Sequence, residues 1–586
     1  MEEDLQKLKG DKRIPRMVMF KRTLKYLKAE WLSFVIAGLL ILCNVALDII
    51  FPLFMRDFTN NLQSDNISLK VLLIITFGYL ALGLSSALFV YLESMVLQKA
   101  GQRVVYSLRM EVFEHIEHMS QNQFNEMPVG SLVTRVASYT SSLSELFTSI
   151  LVNLVKNVLT IVGVYGFMIY ISWKLSLIML GFIAVVFIIS YFFNKIIHKF
   201  FQKERGYISD LNTFLSENLS GMKITQIFNQ EQRKHKEFLV KNENLRKARY
   251  KVLVAFGIYR PLISFIYFAA IAATFNMAFA AITAGEIVAF YLYLSKFFNP
   301  IQNIADQING IQRAVTASER LFNLLDVEPD VLDAPDAIDI ERVEGRIEFK
   351  NVWFAYNDEN WILKDVSFVI EPKQTCAFVG ATGAGKTTIL GLIVRNYEIQ
   401  KGQILLDGVD IKHIKIKSLR KAIGQMLQDV FLFSGTIKNN ITLREDSFTQ
   451  EEIEQVCEYV NADKFINRLE HKYDEEVVER GENLSQGQRQ LLSFARTVLH
   501  KPQVLILDEA TANIDTETEK LIQESLEKIK NIGTMLIVAH RLSTIQKADQ
   551  IIVLQKGEII ERGTHQELLK KHGYYHKLYK LQFEER

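Results

Sequence analysis

Six long apolar runs follow one another in the first half of this chain, and they decide most of what it can fold into. They lie at residues 31–55, 71–97, 146–171, 175–193, 252–282 and 287–304. Each is close to or beyond the ~20 residues that cross a bilayer as a helix. Buried helices of a soluble core are the alternative. They fit poorly, because six such runs stand in a row and residues 146–193 are almost free of charge. The segment before residue 31 carries Lys7, Lys9, Lys12, Arg13, Arg16, Lys21, Arg22, Lys25 and Lys28. The first run is too long for a secretory signal peptide and lacks a small-residue cleavage site. Positive charge stays on the cytoplasmic side. Six crossings then leave both termini in the cytoplasm of a multi-pass protein of the cell membrane. Two long connections, 98–144 and 194–251, fall inside. Their periodic apolar and charged residues read as helices that continue the spans beyond the bilayer.

Composition narrows the partners. Lys and Arg total 68 against 66 Asp and Glu, a formal charge of +2, so no basic field supports nucleic-acid binding. The 3 cysteines are widely spaced and form no CxxC pair, which disfavours a disulfide framework or a cysteine zinc site. From about residue 321 the pattern changes. An acidic stretch with Pro329 and Pro335 reads as a linker over 321–345, and short β-rich runs alternating with helical ones follow. The expected layout is a cytoplasmic segment at 1–30, a six-helix transmembrane domain at 31–320, the linker, and an α/β nucleotide-binding domain with a helical subdomain at 346–586.

The chemistry-bearing motif is Gly380-Ala381-Thr382-Gly383-Ala384-Gly385-Lys386-Thr387, followed by Thr388. It matches GxxxxGK[ST], follows an apolar run at 375–379 and precedes a helical one, the context such a phosphate loop requires. Glycines let backbone N–H groups face phosphates, and a helix N-terminus adds positive potential. Lys386 is expected to reach the β- and γ-phosphates, and Thr387 to ligate Mg²⁺. The nucleotide-binding set is therefore Gly380, Thr382, Gly383, Ala384, Gly385, Lys386, Thr387 and Thr388. A second apolar run at 504–507 ends in Asp508 and Glu509. Asp508 suits Mg²⁺ and Glu509 suits polarising the attacking water.

Leu484-Ser485-Gln486-Gly487-Gln488, upstream of that run, resembles the signature motif of ATP-binding cassette (ABC) transporters. With six spans before a single nucleotide-binding domain, the whole chain resembles an ABC exporter half-transporter with long intracellular helices. Importers of that superfamily usually keep the two parts on separate chains. The resemblance implies further roles. Tyr356 would stack on adenine, Gln428 would be the Q-loop glutamine at Mg²⁺ and the γ-phosphate, and Glu479 the X-loop acid. Asp515 would be the D-loop aspartate and His540 the switch histidine. Segments 124–136 and 216–228 are similar to the regions of the two coupling helices. Ser138-Tyr139 departs from the acidic pair often found after Arg135 in the family. ATP would sit between one chain's phosphate loop and the partner's Ser485, Gln486, Gly487 and Gln488.

The family's signature usually has Gly where this chain has Gln486. A side chain at a helix start crowds the approach of backbone N–H groups to a phosphate, whereas Gly permits it. Lys386, Asp508, Glu509 and His540 match the family's intact pattern. The combination resembles the catalytically intact chain of asymmetric bacterial multidrug exporters and implies a heterodimer whose partner has an unmodified signature and a replaced catalytic glutamate. A homodimer tolerating Gln486, with lipid or peptide as cargo, is the other reading, and an ATP-gated channel or regulatory subunit a third. Within the spans, Asp48, Glu93, Lys156 and Arg260 are candidates for a charged cavity or for mutual pairing. Phe51, Phe54, Phe265, Tyr267, Phe268, Phe290, Tyr291 and Tyr293 are candidates for an aromatic cargo pocket or for packing.

Overall fold

The computed structural model describes residues 15–62, 69–278, 283–357, 360–427, 429–508, 516–538 and 545–581. The chain divides into two compact units. One comprises residues 1–117 and 129–327, the other 118–128 and 328–586.

Helices build the first unit. In chain order they are α1 (Arg16–Lys28), α2 (Trp31–Leu62) and α3 (Leu69–Glu117). After α4 (Gln121–Glu126), which belongs to the second unit, come α5 (Val129–Thr134), α6 (Thr140–Glu145) and α7 (Leu151–Ile171). Two five-residue π-helical stretches join these last three into one helical rod. Then follow α8 (Trp173–Ser220), α9 (Met222–Ile227), α10 (Glu231–Ala278) and α11 (Ala284–Leu325). Helices α3, α8 and α10 hold 49, 48 and 48 residues. At ~1.5 Å per residue each is about 70 Å long, more than twice a hydrocarbon core, so the connections expected to be helical are helical.

Among the described residues five helical segments are long and apolar enough to cross a membrane, at 31–62, 73–117, 129–171, 173–220 and 231–276. α11, expected as the sixth span, is as long as the others but falls outside this set. Its apolar run is interrupted by Lys296, Asn299 and Pro300. It also runs on through residues 321–325, so the linker starts at Asp326 rather than at 321. Leu321, Phe322 and Leu324 are buried, and this apolar face holds the last turn in the helix.

Three of the charged candidates in the spans, Asp48, Glu93 and Lys156, are ion-paired. Lys296 of α11 bonds Asp48 of α2, and Lys156 of α7 lies 3.6 Å from Glu93 of α3. Each acid is thereby matched by a base from another helix, which removes most of the isolated-charge cost. Arg260 lies over the Phe256 ring. Pro52, inside α2, withholds an N–H from that helix. One turn away the Tyr293 hydroxyl donates to the Ile49 carbonyl at 2.6 Å. Phe290 and Tyr293 are completely buried in the helix core with Met168, Met179 and Ile263, so they pack rather than line a pocket. Phe265 and Phe268 are exposed.

The second unit has a four-stranded antiparallel sheet and a six-stranded one. The strands are β1 (Ile347–Ala355), β2 (Trp361–Ile370), β3 (Thr375–Val379), β4 (Lys401–Leu406), β5 (Val409–Asp410) and β6 (Ile423–Met426). They continue with β7 (Gly435–Thr436), β8 (Glu476–Val477), β9 (Val504–Asp508), β10 (Thr534–Val538), β11 (Gln550–Gln555) and β12 (Glu558–Gly563). The antiparallel sheet has the order β2-β1-β4-β5, and β7 pairs with β8. The larger sheet has the order β12-β11-β3-β10-β9-β6, parallel except for the edge strand β12.

Its central strands are buried on both faces, which explains their unbroken apolar runs. Cys376, Phe378, Val504, Ile506, Leu536 and Val538 pack toward α12 (Lys386–Ile393). Ala377, Leu505, Leu507, Met535 and Ile537 pack toward the helix Gln486–Leu499 on the other side. Short helices Ile437–Thr442, Gln450–Tyr459 and Asp463–Ile466, inserted between β6 and β9, form the helical subdomain.

Candidate functional site

Strands β3, β10 and β9 lie in register, with Phe378 opposite Val538 and Val538 opposite Asp508. Their carboxyl ends therefore reach one edge of the sheet together. Ligands of open α/β sheets bind outside this edge. The loop 380–385 leaves β3 there and turns into α12. Two of its glycines have left-handed backbones, Gly383 at φ 80° and Gly385 at φ 101°. At Gly380 a Cβ would meet the Leu554 carbonyl oxygen at 2.3 Å. These positions accept only glycine without strain, and they leave the loop's N–H groups unobstructed by side chains.

Gly385 is the N-cap of α12, and Lys386, its first residue, is buried. The Lys386 ammonium donates to the Gly380 and Ala381 carbonyls at 2.9 and 3.0 Å. Burial lowers its pKa, and the nearby Asp508 carboxylate acts in the opposite direction. The structure thus brings together Gly380, Thr382, Gly383, Ala384, Gly385, Lys386, Thr387, Thr388 and Asp508. The exposed Thr387 hydroxyl and the Asp508 carboxylate are hard oxygen donors, the kind that Mg²⁺ takes alongside phosphate oxygens and waters.

Tyr356 flanks this loop from the end of β1. Its hydroxyl lies 3.1 Å from Thr388 Oγ1, and its half-exposed ring stands edge-on to Phe354. The signature residues open the helix Gln486–Leu499. Ser485 is the N-cap and makes a reciprocal box with Gln488. Ser485 Oγ accepts from the Gln488 N–H at 3.2 Å, and the Ser485 N–H donates to Gln488 Oε1 at 2.8 Å. Gln486 is the first helical residue, half-buried in a groove of about 220 Å³ with Asp429, Arg480, Glu482 and Arg489. Gly487 is buried. Four expected residues, Gln428, Glu509, Asp515 and His540, lie outside the described residues. Among the described residues, Asp508 and Val538 end β9 and β10, and Leu427 follows β6.

Two family models match the chain, "ABC transporter transmembrane region" over residues 34–301 and "ABC transporter" over 363–512. The chain is 33% identical to the "ATP-dependent lipid A-core flippase" of Syntrophus aciditrophicus, over 97% of this chain and 95% of that one. The chain belongs to the ABC transporter family. It is 36% identical to the Bacillus subtilis "Probable multidrug resistance ABC transporter ATP-binding/permease protein YheH", over 87% of this chain and 77% of that one. A bacterial Atm1-family ABC exporter solved with ATP bound has a similar fold, with a TM-score of 0.78 and 26% identity, covering 95% of this chain and 98% of that one.

This ABC exporter subunit therefore carries a membrane-spanning region and an ATPase domain on one polypeptide. Three of its features went unread in the sequence. Lys296 neutralises Asp48. The segment 118–128 folds with the nucleotide-binding unit, so the region read at 124–136 divides between the two units. Tyr397, after α12, sits edge-on to Tyr356 with ring centroids 5.1 Å apart. Each depends on a pairing across a long sequence separation, for which a single chain carries no local signal.

Proposed function

We propose that the chain couples ATP hydrolysis to export of small amphipathic or hydrophobic molecules, drugs among them, as one subunit of a heterodimer with both termini in the cytoplasm. The observation that carries the heterodimer is the position of Gln486 at the first residue of a helix whose cap is otherwise complete. Backbone N–H groups at such a start would face the γ-phosphate held by the partner, and a glutamine side chain crowds them. The chain's own phosphate loop has glycine at 383 and 385, so no side chain of those residues stands over its N–H groups.

In this reading Lys386 and the loop N–H groups bind the β- and γ-phosphates, Tyr356 stacks on adenine, and the partner's signature closes the site. Thr387, Asp508 and Gln428 would hold Mg²⁺, which neutralises phosphate charge when bound. Glu509 orients the attacking water, His540 contacts the γ-phosphate, and Asp515 serves as the D-loop aspartate. ATP closes the pair because it binds the closed state more tightly, and hydrolysis resets it. The test is ATP-driven uptake of amphipathic dyes and labelled lipids into inverted membrane vesicles, with Glu509→Gln as the inactive control. Dye accumulation lost in Glu509→Gln supports the reading. Accumulation of lipid alone assigns a lipid cargo, and equilibration without accumulation makes the protein a channel.

A further inference from the structure

The two ion pairs inside the membrane spans differ in how open they are. Glu93 is closed off beside Lys156, with 8% of its side chain exposed. Asp48 and Lys296 each keep 30% of their side chains exposed, so this pair is open on one side. It is also deep. At ~1.5 Å per residue, Asp48 lies about 25 Å along α2 from Trp31 and about 20 Å from Leu62. By the same measure Lys296 lies about 18 Å along α11 from Ala284. Charges at such a depth face a bundle interior or a water-filled cavity, because an ion pair open to hydrocarbon keeps most of its desolvation cost.

The bond between the two groups uses one carboxylate oxygen, Oδ1, and one of three ammonium hydrogens, so both can accept a further partner. The ammonium also lies 5.9 Å from the centre of the Phe51 ring, a cation–π contact. Phe51 packs on Tyr79 of α3 with ring centroids 4.5 Å apart, so an aromatic wall borders the pair. The pair is neutral as a whole, and this decides what suits it. A cation that takes Asp48 leaves Lys296 unpaired, and an anion that takes Lys296 leaves Asp48 unpaired. Either outcome strands a charge in the membrane. A molecule carrying both charges compensates both groups at once.

We propose that Asp48 and Lys296 form a cargo site for zwitterionic amphiphiles, with the cargo ammonium at Asp48, its phosphate or carboxylate at Lys296, and its apolar part along Phe51 and Tyr79. The inference rests on the reading of the chain as an exporter subunit and names the cargo class of that exporter.

Inverted membrane vesicles carrying the assembled transporter are given ATP and one of three dansyl amphiphiles built on the same alkyl chain. One carries an ammonium and a carboxylate, one the ammonium alone after esterification, and one the carboxylate alone after acetylation. Accumulation of the zwitterion is expected to exceed that of either other probe by about tenfold, less than the cost of a fully buried unpaired charge because the pair is partly open. Lys296→Gln frees Asp48 and should move the preference to the cation. Asp48→Asn frees Lys296 and should move it to the anion. The reversed pair, Asp48→Lys with Lys296→Asp, should prefer the zwitterion again, and it keeps the test decisive if a single variant fails to fold. A pair that only held the helices together would lower all three probes alike and leave their order unchanged. Acyl-labelled phosphatidylethanolamine in the same vesicles separates two sources of the cargo. Its ATP-driven translocation supports the site with a bilayer lipid as cargo, and accumulation of the dansyl zwitterion without it supports the site with a cargo taken from solution. Native preference for a singly charged probe, or one order of preference in the native protein and every variant, overturns the site. No ATP-driven accumulation of any probe, dye or lipid overturns the export reading and the site with it.

Discussion

Two helices of the nucleotide-binding unit begin on opposite faces of one sheet, and they begin differently. α12 starts from Gly385, a left-handed residue without a side chain, and the loop before it closes on itself through Lys386. The helix Gln486–Leu499 starts from Ser485, whose hydroxyl already takes the Gln488 N–H, and places a glutamine at its first turn. Both have the free N–H groups and positive end of any helix N-terminus. Only the first leaves them bare. A helix start is thus a phosphate site when its side chains withdraw, and in this chain one start has that property while the other is partly occupied.

The comparison can be broken at either helix. The largest effect is expected from Glu509→Gln, which should cut ATPase of the assembled transporter by about 10²-fold or more while leaving ATP bound, since general-base catalysis has that size. Steady-state hydrolysis with radiolabelled ATP measures it, and near-normal turnover would remove Glu509 from its role. Lys386→Ala should instead weaken binding itself. Loss of a charge-assisted contact of about 2–3 kcal/mol is roughly a 30- to 150-fold rise in the ATP dissociation constant, read by nucleotide titration. At the second helix, Gln486→Gly should raise the ATPase of this chain expressed alone by about tenfold, the worth of one recovered charge-assisted hydrogen bond. Ser485→Ala should have the smallest effect. Losing an N-cap costs about 1 kcal/mol, seen as roughly fivefold faster exchange of the Gln488 amide.

Much of the nucleotide-binding unit was legible because its signals are local. The apolar runs at 375–379 and 504–507 fall on β3 and β9, and the glycines after the first run adopt the backbone that only glycine tolerates. The membrane helices were legible for the same reason, since length and apolarity are properties of one segment. α11 shows where this ends. Its run includes Lys296, Asn299 and Pro300, and the lysine makes sense only once Asp48, far away in sequence, is beside it. The end of α11 was also misplaced, because the acidic, proline-containing stretch that follows drew the boundary forward while a buried apolar face kept residues 321–325 helical. Tyr397 gave no sign of itself. It resembles any core aromatic until the fold sets it edge-on to Tyr356.

The asymmetry between the two helix starts is tested most directly by asking whether this chain needs a different partner. The chain is purified alone and co-expressed with a homologous half-transporter that has the usual signature glycine and a replaced catalytic glutamate, each in lipid nanodiscs, and both assembly composition and ATPase are measured. The account predicts one-to-one mixed assemblies with robust ATPase and little activity from the chain alone. A stable assembly of this chain alone, as active as the mixed one, would contradict it.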